Sequence, residues 1–296
     1  MFTGFESHDV VVGEQTIHAR VGGWGPPLLL LHGYPQTHVM WHGLAQALAE
    51  SHTVVVADLR GYGDSSKPPN DETHAAYSKR AMAADQVGLM RALGHERFAL
   101  VGHDRGARVA HRLCLDHPDA VTRTAVLDIV PTRHVFRHVD RALATFYWHW
   151  FFLAQPGDLP EQMIGGDPEG FLRGRLLAWS HRPEGFTDEA VDEYVRCFAD
   201  PAAVHASCED YRAGAGIDLE HDDEDAAAGR RVGCPLLVLW GSQGFVGAAY
   251  DVLEVWREYA DDVRGTGMES GHFLPEEAPE ETLRELETFL AEVSGS

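Results

Sequence analysis

Basic residues are scarce in this chain, long apolar runs are missing, and the few cysteines stand apart. Lys and Arg total 24 against 46 for Asp and Glu, a formal charge of -22 that repels nucleic acid phosphates and anionic membrane surfaces at long range. The deficit excludes a polyanion partner. It does not exclude an anionic small molecule, because screening over roughly 10 Å lets arginines inside a pocket act locally. No stretch approaches the roughly 18 consecutive apolar residues of a membrane span, and MFTGFESHDVVVGEQ offers no basic segment followed by an apolar one. A soluble, cytoplasmic protein is expected, with neither nucleic acid nor membrane as partner. The four cysteines, Cys114, Cys197, Cys208 and Cys234, contain no C-x-x-C pair, so they read as reduced core thiols rather than a zinc site or a disulfide framework.

What is present is an α/β pattern. In 296 residues, 44% of them apolar, there is material for one large domain or for a core with an inserted subdomain. Leu28 to Leu31, Thr53 to Ala57, Phe98 to Val101, Thr124 to Ile129 and Pro235 to Trp240 are apolar or β-branched almost throughout, as strands of a parallel sheet covered on both faces require. Helical spacing separates them, as from Ser78 to Leu93 before Gly94. From about Pro131 to Arg230 the strand runs disappear. Helices are predicted near 137–153, 170–182, 187–198 and 201–214, followed by the acidic EHDDEDAAAG, read as a solvated face or linker. The expected layout is a mostly parallel sheet with helices on both faces, formed by 1–130 and 231–296, with a helical cap at 131–230 over the carboxyl edge where such sheets bind ligands.

GHDRGAR, residues 102–108, follows the run Phe98 to Val101 and opens a helix. Strand, G-x-D-x-G, helix is the context of a nucleophile elbow, with Asp104 in the place that serine takes in many hydrolases. An aspartate is ionised at neutral pH and can displace a leaving group from alkyl carbon to give a covalent ester. Hydrolysis of that ester needs a base, and His272 in SGHFLPEEAPE stands late in the chain, in the nucleophile, acid, histidine order. The oxyanion formed would need donors, for which the backbone amides of Tyr34, in LLLLHGYPQ, and Arg105 are the candidates. His32 and Gly33 read as turn geometry rather than proton transfer. For the acid that orients His272, Asp128 closes the apolar run AVLDIVPT, and Asp251 is the alternative beyond LLVLWG.

Taken together, GHDRGAR, HGYPQTHVMWH, DLRGYGDSSKP, AVLDIVPT, WHWFFLAQP, CEDYRAGA and SGHFLPEEAPE resemble the haloacetate, especially fluoroacetate, dehalogenases of the α/β-hydrolase superfamily over nearly the whole chain, cap included. In that family Arg follows the nucleophile, where haloalkane dehalogenases and many epoxide hydrolases have Trp. Arg105 sits beside Asp104, and Arg108 lies four residues on, hence on the same helix face. Two guanidiniums could grip a substrate carboxylate and keep Asp104 ionised. The resemblance implies a halide site at His149, Trp150 and Tyr211, and a homodimer; Trp148 stands where the family often has Tyr. It also implies hydrolysis of short 2-haloacids, fluoroacetate or chloroacetate, to glycolate and halide through an aspartyl ester. A small anionic 2-haloacid and water would be the reactants, with neither metal nor organic cofactor. The rival is an epoxide hydrolase using the same Asp and His with Tyr147 and Tyr211 as proton donors. Paired arginines weigh against it, since a neutral epoxide gives them nothing to bind.

Overall fold

In the computed structural model, residues 1–70 and 72–292 are described. Eight strands form one sheet: β1 Glu6–Val12, β2 Gln15–Gly23, β3 Pro27–Leu31, β4 Thr53–Ala57, β5 Phe98–His103, β6 Val121–Leu127, β7 Leu236–Gly241 and β8 Val263–Met268. Their spatial order is β1-β2-β4-β3-β5-β6-β7-β8. β1, β2 and β4 pair antiparallel, and every pairing from β4 across to β8 is parallel. The five apolar runs are β3 to β7, and their uniform burial follows from helices packing on both faces. β1 was not legible as a strand because its residues alternate between exposed and half-buried at the sheet edge. The predicted helix is Lys79–Ala92, with Ser78 as its N-cap accepting from the Ala81 amide.

Between β6 and β7 the described chain is helical throughout, from Thr132–Arg137 to Ile217–Ala228. Two expectations need correction here. The single helix expected over 137–153 is broken: Arg141–Phe146 ends at Tyr147, and Trp148–Leu153 starts afresh. The acidic run at 220–229 is a mostly solvated helix face, as one reading has it, and not a linker. It lies largely in helix Ile217–Ala228, where Asp222 and Asp225 pair with buried Arg112 of the core at 2.7 and 2.5 Å. Spacing within the run could not disclose a partner more than a hundred residues away. The cysteines carry no disulfide, and Cys114, Cys197 and Cys208 are buried. No helix among the described residues is long and apolar enough to cross a membrane.

Parallel strands bring their carboxyl ends to one edge, and the strand order reverses between β3 and β5, which lie side by side. A crevice opens at such a reversal. The turn Gly33-Tyr34 leaves β3 there, and Asp104 leaves β5. The elbow closes because side chains are missing: a Cβ on Gly102 would meet the Gly106 carbonyl oxygen at 2.5 Å, and one on Gly106 would meet the His32 carbonyl oxygen at 2.4 Å. Backbone cannot yield as a side-chain tip can. Gly106→Ala should therefore lower the unfolding free energy by about 1–3 kcal/mol, the usual cost of overpacking. A urea midpoint equal to that of the wild type would refute this close approach.

Candidate active site

Asp104 is the first residue of helix Asp104–Asp116 and has φ 46°, left-handed backbone that aspartate tolerates better than most side chains. The conformation lifts its carboxyl clear of the sheet. Oδ1 accepts the Tyr34 amide N–H at 2.9 Å, and Oδ2 lies 3.8 Å from Nε2 of His272. The Tyr34 loop reaches that close because a Cβ on Gly33 would sit 2.5 Å from the Asp104 Cβ. The Arg105 amide belongs to the first helical turn, whose N–H groups have no acceptor within the helix.

Asp128 directly follows β6 and also has positive φ, 52°. Its Oδ2 lies 2.6 Å from Nδ1 of His272, and its Oδ1 accepts the Gly241 amide at 2.9 Å. Asp251 is elsewhere, capping the helix Val252–Arg257 through the Glu254 amide at 3.1 Å. The imidazole of His272 thus bridges two carboxylates, with Nδ1 on Asp128 and Nε2 toward Asp104. His32 donates from Nδ1 to the Gly33 carbonyl and accepts the Leu59 amide at Nε2, a turn role as expected.

Electrostatics separates the two acids. Burial alone would raise the Asp104 carboxyl, but His272, with Arg108 and Arg105 behind it, holds it at about 2. Burial pushes Asp128 above the ordinary carboxylate range despite its bond to His272. Burial would lower His272, and Asp128 more than reverses this, so the imidazole titrates above its ordinary value. His103, whose ring lies 4.6 Å from that of His272, is held by burial at about 3; neutral, it donates from Nε2 to the His272 carbonyl at 2.8 Å.

A cavity opens onto these groups, lined by Asp104, Asp128 and His272 together with Phe146, Tyr147, His149, Trp150, Trp179 and Phe245. His149 is kept neutral by burial, and its Nδ1 has no hydrogen-bond partner. Tyr211 is packed behind the lining, its ring 5.8 Å from His149 and 6.2 Å from Trp150.

The two arginines, read from the sequence as a matched pair, are not equivalent. Arg105, 1% exposed, gives Nε and Nη2 to Asp210 at 2.9 and 2.7 Å, while its guanidinium lies 4.2 Å from the Tyr211 ring centre. Arg108, 4% exposed, donates from Nη1 to the Val130 carbonyl and Thr132 Oγ1, both at 3.0 Å, and lies over the Trp150 ring at 4.5 Å. Its Nε has no partner, and no carboxylate among the described residues is in salt-bridge range of it. Neither arginine is in the cavity lining proper.

Sequence reading missed Asp210, although it precedes Tyr211 in a motif already singled out. It also missed Glu277, whose carboxylate accepts the amides of Gly271, Phe273, His181 and Arg182 at 2.6–2.8 Å, tying the His272 loop to the helical segment between β6 and β7. Two clusters outside the cavity have metal-ligand composition, His18, His38, Asp58 and Glu161, His205, Glu209. In both the carboxylates are already engaged: Asp58 by the His38 amide and ring, and Glu161 and Glu209 by Arg212.

The described geometry is that of the α/β-hydrolase fold, whose family model matches residues 26–279. The chain belongs to that family. It is 51% identical over 293 residues to the fluoroacetate dehalogenase of Burkholderia sp, covering 99% of this chain and 96% of that one. It is 34% identical to the soluble epoxide hydrolase of Corynebacterium sp. (strain C12), covering 95% of each. The crystal structure of ALR0039 from Nostoc sp PCC 7120 superposes with a TM-score of 0.97 at 56% identity, covering 99% of this chain and 100% of that one.

If neutral His272 is the base, turnover should fall as pH drops through a limb above His272's ordinary 6.5, with Asp104 ionised throughout. Asp128→Asn should move that limb to lower pH. A pH profile of kcat checks this, and an unmoved limb would separate Asp128 from the titration.

Proposed function

We propose that this protein is a hydrolytic dehalogenase of short 2-haloacids such as fluoroacetate and chloroacetate. The observation that carries the reading is Arg108: a buried guanidinium beside the Asp104 carboxylate, with no carboxylate of its own and an unpartnered Nε. A buried cation without a counter-ion is costly, and a substrate carboxylate would supply one. The 51% identity to a fluoroacetate dehalogenase supports the same reading.

In the proposed reaction Arg108, with Arg105, binds the substrate carboxylate and presents the adjacent carbon to Asp104. Oδ2, the oxygen not held by the Tyr34 amide, attacks that carbon as the carbon–halogen bond breaks. An ester forms on Asp104, and the bonding electrons leave with halide. His149 and Trp150 in the lining, with Tyr211 behind them, offer N–H and O–H donors to the departing ion. His272 then takes a proton from water, whose oxygen attacks the ester carbonyl carbon. Negative charge develops on Oδ1, against the Tyr34 and Arg105 amides. Collapse breaks the bond between the carbonyl carbon and Oδ2; glycolate leaves with that oxygen and takes the proton from His272, and the regenerated carboxyl loses its own proton to solvent. Water is the only second reactant. A homodimer accompanies this reading as a family expectation, and soluble cytoplasmic residence as the expectation from composition and sequence pattern.

Epoxide hydrolysis is the alternative, favoured by Tyr147 in the cavity lining and by the 34% identical relative. Halide release from fluoroacetate or chloroacetate, lost in Asp104→Asn, is the expected outcome; turnover of styrene oxide alone would overturn the proposal. In a single turnover in heavy-oxygen water, the first glycolate should carry light oxygen from Asp104, and solvent label in it would rule out the ester. Arg108→Lys should lower kcat/KM for chloroacetate by about a hundred-fold, because an ammonium cannot reproduce the planar fork and misplaces the carbon. Unchanged kinetics would remove Arg108 from the site.

A further inference from the structure

Asp210 is fully buried on the cap helix Pro201–Ala215, and three core side chains converge on it. Arg105 donates from Nε to Oδ2 at 2.9 Å and from Nη2 to Oδ1 at 2.7 Å, and Nη2 also reaches the Asp210 carbonyl at 2.9 Å. Tyr62 donates its hydroxyl to Oδ2 at 2.6 Å, and the Lys79 ammonium donates to Oδ1. Lys79 has a second counter-ion, Asp218, at 3.6 Å. The carboxylate is therefore saturated, and its charge is balanced on the Arg105 side. Nη1 of Arg105 has no hydrogen-bond partner among the described residues, and the Tyr211 face closes one side of the guanidinium at 4.2 Å.

We infer that Asp210 is a positioning residue for substrate recognition: it fixes Arg105 by the Nε and Nη2 side, leaving Nη1 as the donor for the substrate carboxylate and Arg108 as the charge which that carboxylate neutralises. This rests on the proposed dehalogenase reading. Its physical content is a division of labour. An arginine already paired adds a directed donor without a second net charge, so it orients a carboxylate rather than merely attracting it. An unpaired Arg105 would have rotamer freedom and a competing claim on Asp104, the nucleophile one residue away. Holding it on a cap carboxylate also makes the orientation depend on the cap being seated, since Asp210 belongs to the cap while Arg105, Lys79 and Tyr62 belong to the core.

Two measurements test this. In wild-type protein, the Arg105 Nε–H resonance, assigned by its loss in Arg105→Lys, should stay in its bonded position during titration with acetate, a carboxylate with no halogen to lose, while the Arg108 signals shift. Displacement of the Arg105 signal to that of a free guanidinium would overturn the inference. In parallel, Asp210→Glu keeps the charge but moves the carboxylate by one methylene. It should unfold within a few degrees of wild type yet lose about a hundred-fold in kcat for chloroacetate, with a much smaller change in KM, as misplacement of a bound substrate predicts. Wild-type kcat in Asp210→Glu would also overturn it. If Asp210→Glu fails to fold, the acetate titration decides alone. Should wild-type protein release no halide from any haloacid, the dehalogenase reading fails, and the titration still reports whether Asp210 retains Arg105.

Discussion

The left-handed backbone of Asp104 is the constraint on which the site depends. With ordinary strand or helix geometry the carboxyl would lie along the sheet edge, out of reach of both the Tyr34 amide and His272. Such a conformation costs on the order of 1–3 kcal/mol for a residue with a side chain and persists only where its surroundings over-determine it. Here Gly33, Gly102 and Gly106 let three stretches of backbone close around it. Asp128 has the same unusual conformation, and its two oxygens are fixed by the Gly241 amide and the His272 ring. Of the three described non-glycine residues with positive φ, two are therefore the carboxylates that flank one imidazole.

Charge in the site is ordered by pairing. Asp128 is matched to His272, Arg105 to Asp210, and Lys79 to Asp210 and Asp218. Asp104 and Arg108 remain without a bonded counter-ion, one of each sign, on the same face of one helix. A carboxylate in a tight ion pair would be a blunted nucleophile, and an arginine in one has no net charge left to attract an anion, though it can still orient one. Asp104 is left open in a cavity walled by Trp150, Trp179, Tyr147 and Phe245, with Arg108 against the Trp150 ring at 4.5 Å, an arrangement that suits the proposed attack on a carbon next to a carboxylate. The protein's large negative charge sits mostly at its solvated surface, where screening confines its influence.

Local chemistry was legible in the sequence, and long-range pairing was not. Apolar runs gave five of the parallel strands, because burial on both faces leaves a compositional mark. The flanking glycines marked the elbow, and Asp128 was preferred over Asp251 because a lone carboxylate closing a buried run needs a partner. The edge strand β1, half solvated, left no such mark. Asp222 and Asp225 looked like part of a solvated run because their arginine, Arg112, is remote in sequence. Arg105 and Arg108 looked alike for the same reason: what distinguishes them is Asp210, a hundred residues downstream on another element.

On the proposed mechanism, the helical segment between β6 and β7 bears on the base, His272, as well as on the cavity wall. The His272 amide donates to the Trp179 carbonyl at 2.9 Å, and Glu277 gathers amides on both sides of His272 together with those of His181 and Arg182. A Cβ on Gly271 would lie 2.5 Å from the His181 nitrogen, so the two backbones are in direct contact. Trp179 itself lines the cavity. A displacement of this cap segment would therefore move a wall of the cavity and the loop of the base together, and one at helix Pro201–Ala215 would release Arg105. On the proposed mechanism, the cavity wall, the placement of His272 and the orientation of Arg105 would all depend on how this helical segment seats on the sheet. That coupling explains why ion pairs and amide clamps, rather than apolar contact alone, join cap to core: directional bonds fix register to a fraction of an ångström, which an apolar seam does not.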